Sequence, residues 1–198
     1  MTFGPYRVSL PGTASGAPDS EAQHVLRLSS LGATAIGPDL GSTCKWRHGA
    51  VAWDGQIYAF PWQAEAILVV NPVTSGVRLE GELGASRDGQ YGFTVATTSY
   101  ACGVPWAATQ VWCAASTGLI RFGQLSSEPG KWRTAAAHQE RIYALPVQAD
   151  GVLEIQPLEQ KLRQLDHVAA GASLRVSAEC WQELSSSWGG WKAGPLPF

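Results

Sequence analysis

The stretch that decides the fold begins at Lys45-Trp46-Arg47 and runs through Ile57-Tyr58-Ala59-Phe60-Pro61 to Ala66-Ile67-Leu68-Val69-Val70-Asn71-Pro72. A second copy reads Lys131-Trp132-Arg133, Ile142-Tyr143-Ala144-Leu145-Pro146 and Gly151-Val152-Leu153-Glu154-Ile155-Gln156-Pro157. In both copies the first Pro follows the Tyr by three residues, and the second Pro follows the first by eleven. Such internal similarity indicates a repeat architecture.

Two weaker copies fill the rest of the chain. One contains Tyr100 and Pro105, and the N-terminal one contains Tyr6 and Pro11. Each copy closes on a leucine, and successive closing leucines are 43, 42 and 40 residues apart: Leu40, Leu83, Leu125 and Leu165. We therefore predict four repeats, at about residues 2–40, 41–83, 84–125 and 126–165.

Within a repeat the apolar runs are short and are separated by turn residues. Asp54-Gly55 is a strong hairpin signal, and Asn71-Pro72 with Ser75-Gly76 indicates a turn between two further strands. No apolar period of 3.6 residues is sustained. Four short antiparallel strands in about 42 residues are the construction of a propeller blade, so we predict an all-β fold, a β-propeller of about four four-stranded blades.

The pattern Lys-Trp-x-x-Gly-x-x-Ala-x-Asp-Gly-x-Ile-Tyr-x-x-Pro…Val-Leu-x-x-x-Pro resembles the kelch-like propeller repeats common in algal and protist proteins. The resemblance covers roughly residues 2–165, strongly in two repeats and weakly in the other two. Pro61 and Pro146 stand near the place where kelch repeats proper carry a Gly-Gly pair. The resemblance implies a propeller, and a fold of this kind hosts many functions.

The first repeat begins at its Tyr-Pro strand and is expected to lack the strand that precedes it. The segment 172–178 (Ala-Ser-Leu-Arg-Val-Ser-Ala) follows the last repeat where a first strand should fall. We predict that it completes the N-terminal blade and removes two exposed sheet edges. The propeller domain would then span residues 1–179, followed by a Trp-rich tail at 180–198. In the alternative, a partial propeller pairs with another chain.

Composition narrows the class of protein. A net charge of −2 with only 15% charged residues gives no basic footprint for nucleic acid, and the 14 basic residues are scattered. No apolar run has the length of a transmembrane segment. The N-terminus shows no secretory signal, so an intracellular location, in the cytoplasm or an organelle, is favoured.

Catalytic and cofactor motifs are absent from the sequence. The four histidines share no metal-ligand spacing, and no Gly-x-Ser-x-Gly elbow, Walker loop or dinucleotide fingerprint occurs. We expect no metal, no cofactor and no catalytic residues. A hydrolase that uses Asp and His from different loops is the third-ranked hypothesis.

The four cysteines leave two pairings open. Cys102 and Cys113 fall on strands predicted to be neighbours, and Cys44 and Cys180 fall in adjoining parts of the predicted ring. Both pairs could form disulfides, but buried free thiols are commoner in an intracellular protein, and we expect reduced thiols.

The tryptophans suggest the binding surface. Trp62 and Trp106 each follow the Pro of their repeat, so both are expected on one face of the ring. The tail adds further aromatic anchors, too apolar for a solvated linker. The predicted partner-binding residues are Trp62, Trp106, Trp188, Trp191 and Phe198, with Arg47 and Arg133 as rim contacts or as structural members of the repeat.

We predict a non-catalytic propeller that binds other proteins as an accessory or scaffolding subunit of an assembly, through its loops and tail. The first alternative is a lectin-like propeller that stacks a glycan on Trp62 and Trp106. A tail that folds back over the ring is the structural alternative for residues 180–198.

Overall fold

The Asp54-Gly55 hairpin forms as its sequence dictates. The Asp54 carboxylate accepts a hydrogen bond from the backbone N–H of Gln56 at 2.9 Å, and Gly55 adopts the left-handed φ of 74° that the turn requires. In the computed structural model the residues described are 2–3 and 6–9, for which only the backbone is considered, with 23–30, 32–41, 45–84, 86 and 89–165.

Sixteen strands form four antiparallel sheets of four, each built from consecutive strands. Blade 1 contains β1 (Thr2–Phe3), β2 (Tyr6–Ser9), β3 (Val25–Ser29) and β4 (Gly32–Ile36). Blade 2 contains β5 (Ala50–Val51), β6 (Ile57–Ala59), β7 (Ile67–Asn71) and β8 (Gly76–Glu80). Blade 3 contains β9 (Tyr91–Ala96), β10 (Tyr100–Pro105), β11 (Val111–Ala115) and β12 (Gly118–Phe122). Blade 4 contains β13 (Trp132–His138), β14 (Arg141–Pro146), β15 (Val152–Gln156) and β16 (Lys161–Leu165).

The predicted β-propeller of four four-stranded blades is confirmed, and each sheet lies within one predicted repeat. Apolar side chains pack face to face between successive blades. Val25 of blade 1 packs with Leu68 of blade 2, Phe60 of blade 2 packs with Tyr91 of blade 3, and Val111 of blade 3 belongs to one cluster with Leu153 of blade 4. The apolar runs of the repeat therefore form the packed interfaces between successive blades.

One expectation about the first repeat is wrong. Thr2–Phe3 pairs with Tyr6–Ser9, so the first blade has a first strand of its own. Leu165 pairs with Val152 at the end of β16, whereas Leu125 lies beyond the end of β12. A leucine can end a strand or follow it, and spacing alone does not separate the two. The predicted closing strand at 172–178 lies outside the described residues.

Cys102 and Cys113 lie directly opposite each other on β10 and β11, as predicted, and are joined by a disulfide. Their Cα atoms are 4.0 Å apart, and both residues are fully buried. The expectation of free thiols is therefore wrong for this pair, because the register brings the two sulfur atoms together. Cys44 and Cys180 lie outside the described residues.

The Lys-Trp pair that begins two repeats has a structural role, because both side chains donate hydrogen bonds to backbone carbonyls of their own repeat. The indole N–H of Trp46 donates to the carbonyl of Ala66, and that of Trp132 donates to the carbonyl of Gly151, both at 2.9 Å. The Lys131 ammonium donates to two carbonyls of the loop before it, at 2.6 and 3.0 Å. Burial lowers the pKa of Lys131 to about 8. In blades 2 and 4 the start of the blade is thus tied to the residue just before its third strand.

The chain divides into two units, Met1–Asp166 and His167–Phe198. The blades belong to the first, and the second lies outside the described residues. No helix in the described part of the chain is long and apolar enough to cross a membrane.

Candidate binding pocket

A bulge recurs at the same place in three successive blades. In blade 4, Trp132 pairs with Pro146 and Thr134 pairs with Leu145, so Arg133 is the extra residue. In blade 3, Tyr91 pairs with Pro105 and Phe93 pairs with Val104, which leaves Gly92 in the same position. Bulges often redirect a side chain next to a functional site.

Blade 2 repeats this arrangement with Arg47. Trp46 forms a bridge with Pro61, and regular pairing resumes only at Ala50 opposite Tyr58. Arg47 follows Trp46 directly, as Arg133 follows Trp132. Arg47, Gly92 and Arg133 are therefore equivalent residues of three neighbouring blades.

These three positions and the residues that follow them line a pocket of about 460 Å³. This volume is within the range of sites that hold a small molecule or a side chain. Six of the seven lining residues come from the bulges, and the seventh is contributed by the loop after β10. The lining residues are Arg47, His48, Gly92, Phe93, Trp106, Arg133 and Thr134.

His48 is held in place by blade 3. Its ring stacks on Phe93 with 3.7 Å between centroids, and its Nδ1 accepts a hydrogen bond from the backbone N–H of Thr94 at 3.4 Å. The buried Thr94 hydroxyl donates to the backbone carbonyl of His48 at 3.0 Å and accepts from the N–H of Phe60 at 3.1 Å. Burial lowers the pKa of His48 to about 4, so the imidazole is neutral at physiological pH.

Arg47 lies over an aromatic ring. Its guanidinium carbon is 3.4 Å from the centroid of the Trp62 ring, a cation–π contact that fixes the direction of the side chain. Trp62 in turn lies 5.5 Å, centroid to centroid, from Trp106. The result is a ladder of one guanidinium and two indoles beside the pocket.

The pocket is positively charged. Its lining includes two guanidinium groups, and no carboxylate is among the described residues that line it. Arg133 is exposed and forms no ion pair with any described residue. With His48 neutral, Arg133 supplies a positive charge that no described carboxylate compensates, which suits an anionic group.

The tryptophans selected from the sequence lie together as expected but occupy different environments. Trp62 and Trp106 are on one face, since their backbone N–H groups bind the carbonyls of the equivalent Lys45 and Gln90 at 2.7 and 2.8 Å. Trp62 is 7% exposed and packs beneath Arg47, whereas the half-buried Trp106 lines the pocket. Trp188, Trp191 and Phe198 lie outside the described residues.

Sequence reasoning missed the start of the third repeat, Gln90-Tyr91-Gly92. The Tyr91 hydroxyl donates to the carbonyl of Gln110 at 2.9 Å, as the two tryptophan indoles do in their blades. The Gln90 amide donates to the carbonyl of Gly84, much as Lys131 does to its loop. Different side chains make the same hydrogen bonds, so identity of letters could not reveal the equivalence.

Comparison with known proteins supports the fold. Virginiamycin B lyase from Staphylococcus aureus superposes with a TM-score of 0.60 at 9% identity, over 78% of this chain and 52% of the lyase. A streptogramin B lyase gives 0.60 at 12% identity, over 85% of this chain and 61% of that chain. A chain of a nidogen/laminin complex gives 0.51 at 12% identity, over 73% and 56%. No protein-family model and no curated protein matches the sequence.

The fold and these similarities define the class, a β-propeller with four blades in the described part of the chain. The chain spans only 52% to 61% of the length of these three structures. At such low identity the likeness extends to the fold and not to the chemistry.

Proposed function

We propose that this protein is a non-catalytic, protein-binding propeller that serves as an accessory or scaffolding subunit of a larger assembly. The observation that carries the proposal is the pocket with Arg47, Arg133 and Trp106 in its lining and no described carboxylate. Arginine and tryptophan are the residue types that most often dominate binding energy at protein interfaces. The kelch-like character of the repeats is part of the same proposal.

Two surfaces contact the partner in this proposal. The pocket receives a segment of the partner on the face that carries Trp106. The aromatic tail, with Trp188, Trp191 and Phe198, supplies a second set of anchors that is independent of the pocket.

Affinity capture of the tagged full-length chain from its native cell extract tests the proposal. We expect a stoichiometric partner that is lost with Arg133→Ala or Trp106→Ala. Arg121→Ala is the matched control, because Arg121 also lies by an indole, 5.8 Å from the Trp112 ring centroid, but outside the pocket. Retention of every partner by all the pocket variants would exclude the pocket.

Truncation after Ser187 tests the tail separately. Removal of Trp188, Trp191 and Phe198 is expected to weaken capture while the pocket stays intact. If association with each captured partner survives the truncation, the tail is not an anchor.

Glycan binding is the second candidate, and it is favoured by the half-buried Trp106 in the pocket with Trp62 beside it. An aromatic face in a concave site can stack on a sugar ring. Saturable binding of an oligosaccharide on a glycan array, lost in Trp106→Ala, would support this function in place of protein binding.

A further inference from the structure

We infer that the group bound in the pocket is the carboxylate of a Glu or Asp side chain in an acidic peptide segment of the partner, held between Arg47 and Arg133. This inference rests on the proposed function and adds the chemistry of the ligand. Three features of the pocket support it: the charge of its lining, the arginines at equivalent positions of blades 2 and 4, and the glycine at the third such position.

Arg133 supplies the charge that is open to a ligand, and Arg47 adds a second guanidinium group to the lining. Arg133 is solvent-exposed and has no acidic partner in the described part of the chain, and the burial of His48 keeps that ring neutral. An anionic group that enters a concave site gains more from a guanidinium there than it would in open water. The pocket therefore favours a negatively charged group over its neutral isostere.

The position of each guanidinium favours a carboxylate. Arg47 and Arg133 project from equivalent bulges of blades 2 and 4 and so approach the pocket from either side of blade 3. Arg47 lies on the Trp62 ring at 3.4 Å, so part of its side-chain entropy is already lost before binding. A planar fork of N–H donors matches the two oxygens of a carboxylate.

Gly92 leaves the space for the ligand. A third arginine at this position would fill the site between the other two, but glycine stands there and its φ is not left-handed. A Cβ at Gly92 would meet its nearest neighbours, the Trp132 carbonyl and Trp106, at 3.4 to 3.7 Å, which is ordinary contact. Larger side chains at residue 92 would extend into the pocket without strain in the backbone.

The aromatic lining favours a peptide as the source of the carboxylate. Trp106 and Phe93 line the same pocket as the arginines, so residues that flank the acidic side chain have apolar surface to cover. The donors that the structure provides are side chains on strands, whereas sites for phosphoryl groups commonly add a row of backbone N–H groups.

The probe is a library of fluorescein-labelled heptapeptides with a central Glu and random flanking residues, measured by fluorescence anisotropy with the full-length chain. The comparison libraries carry Gln or phosphoserine at the centre, and free glutarate serves as a competitor. We expect the Glu library to bind at least about tenfold more tightly than the Gln library, a typical loss for a charge-assisted hydrogen bond.

Variants assign the binding to the pocket. Arg133→Ala is expected to lower affinity for the Glu library about tenfold or more, and Gly92→Arg to abolish binding because it fills the site. Arg121→Ala removes an equal charge elsewhere and is expected to leave affinity unchanged. Unaltered thermal melting of Gly92→Arg checks that the fold is intact, and Gly92→Phe provides a second blocking variant without added charge.

Equal binding of the Glu and Gln libraries, or no binding of either, would overturn the inference. A phosphoserine library that binds more than tenfold more tightly than Glu would replace the carboxylate by a phosphoryl group. Competition by glutarate at the affinity of the peptides would replace the peptide by a small molecule. If a partner is captured through Arg133 but the Glu and Gln libraries bind equally, the proposed function stands and the carboxylate inference fails. If the Glu library binds specifically but no partner is captured, the proposed function fails and the carboxylate specificity stands.

Discussion

His48 is the residue whose acid–base behaviour departs most from the ordinary among the pocket residues. Burial lowers its pKa from 6.5 to about 4, and it is stacked on Phe93 and bound by the Thr94 N–H. Since Nδ1 accepts that hydrogen bond, the neutral ring carries its proton on Nε2. The lining of the pocket thus includes a neutral imidazole together with the guanidinium groups of Arg47 and Arg133.

We expect the stability of the protein to fall as pH drops from 6.5 towards 4. In this window the unfolded chain protonates His48 but the folded chain does not, so the unfolded state binds the additional proton. The full loss is up to about 3 kcal/mol, reached near pH 4, and above pH 6.5 the residue contributes no slope. Urea denaturation at a series of pH values measures it.

His48→Gln is the diagnostic variant, because it removes the titration and keeps a polar side chain. Its stability should be flatter than that of the wild type between pH 5 and 6.5, above the range in which the paired carboxylates titrate. His138→Gln, on an exposed strand residue, is the control. An acid limb that is identical in wild type and His48→Gln would contradict the assignment.

Trp62 and Trp106 are chemically alike but are expected to respond differently to truncation. Trp62→Ala removes a buried ring from beneath Arg47 and should lower the free energy of unfolding by about 3 kcal/mol or more. Trp106→Ala removes a half-buried ring and should cost about 1 kcal/mol, with its main effect on ligand binding. Urea denaturation of both variants checks the order, and equal losses would show that Trp106 is also a core residue.

At the level of the strand and its bulge, three blades share one hydrogen bond made by two kinds of side chain. Trp46, Tyr91 and Trp132 each donate to a carbonyl just before the third strand of their blade. Burial raises the pKa of Tyr91, which keeps its hydroxyl protonated as a donor. The bond ties the start of each of these blades to the loop between its second and third strands.

Removal of the donor should destabilise each of these blades. Tyr91→Phe is expected to lower the free energy of unfolding by about 1–2 kcal/mol, because the partly buried carbonyl of Gln110 loses its partner. Trp132→Phe should cost about 2–3 kcal/mol, since it also removes ring volume. Tyr100→Phe is the matched control, because the described residues offer no hydrogen bond to that hydroxyl. A neutral Tyr91→Phe would disprove the equivalence.

The sequence predicts an element well where the geometry requires particular residue types, and poorly where several residue types can make the same hydrogen bond. The hairpin at Asp54-Gly55 was predictable, since its turn geometry demands those residue types. The role of Tyr91 was not, because a hydroxyl and an indole N–H donate equally well. The pocket could not be predicted either. Arg47 and Arg133 were visible as a shared motif, but that a bulge places Gly92 between them depends on strand register.

At the scale of the whole molecule, the repeat period predicted the number of blades, because each blade must bury both faces of its sheet against neighbours. Three such interfaces are present between blades 1 and 2, 2 and 3, and 3 and 4. The short first strand Thr2–Phe3 could not be anticipated, since two residues give no apolar pattern. Local sequence patterns thus predict the number of blades better than they predict the first strand of the first blade.

The oligomeric state tests the ring as a whole. The faces of blades 1 and 4 that point away from blades 2 and 3 carry Leu26 and Leu165, which are 38% and 36% exposed. If the predicted ring closes within one chain, these two faces are covered by the chain itself, and we expect native mass spectrometry to give a monomer of 21.1 kDa at all dilutions.

A dimer would mean that the ring is completed by another chain, through these two faces. Leu26→Asp then tests whether the dimer forms through this face of blade 1. The substitution would place an unpaired carboxylate in an apolar interface, so a dimer of this kind would dissociate to monomers. Val73→Asp is the control, as Val73 is 82% exposed on a hairpin of blade 2. A monomer in the wild type that Leu26→Asp does not alter would place all the contacts that stabilise the propeller within one chain.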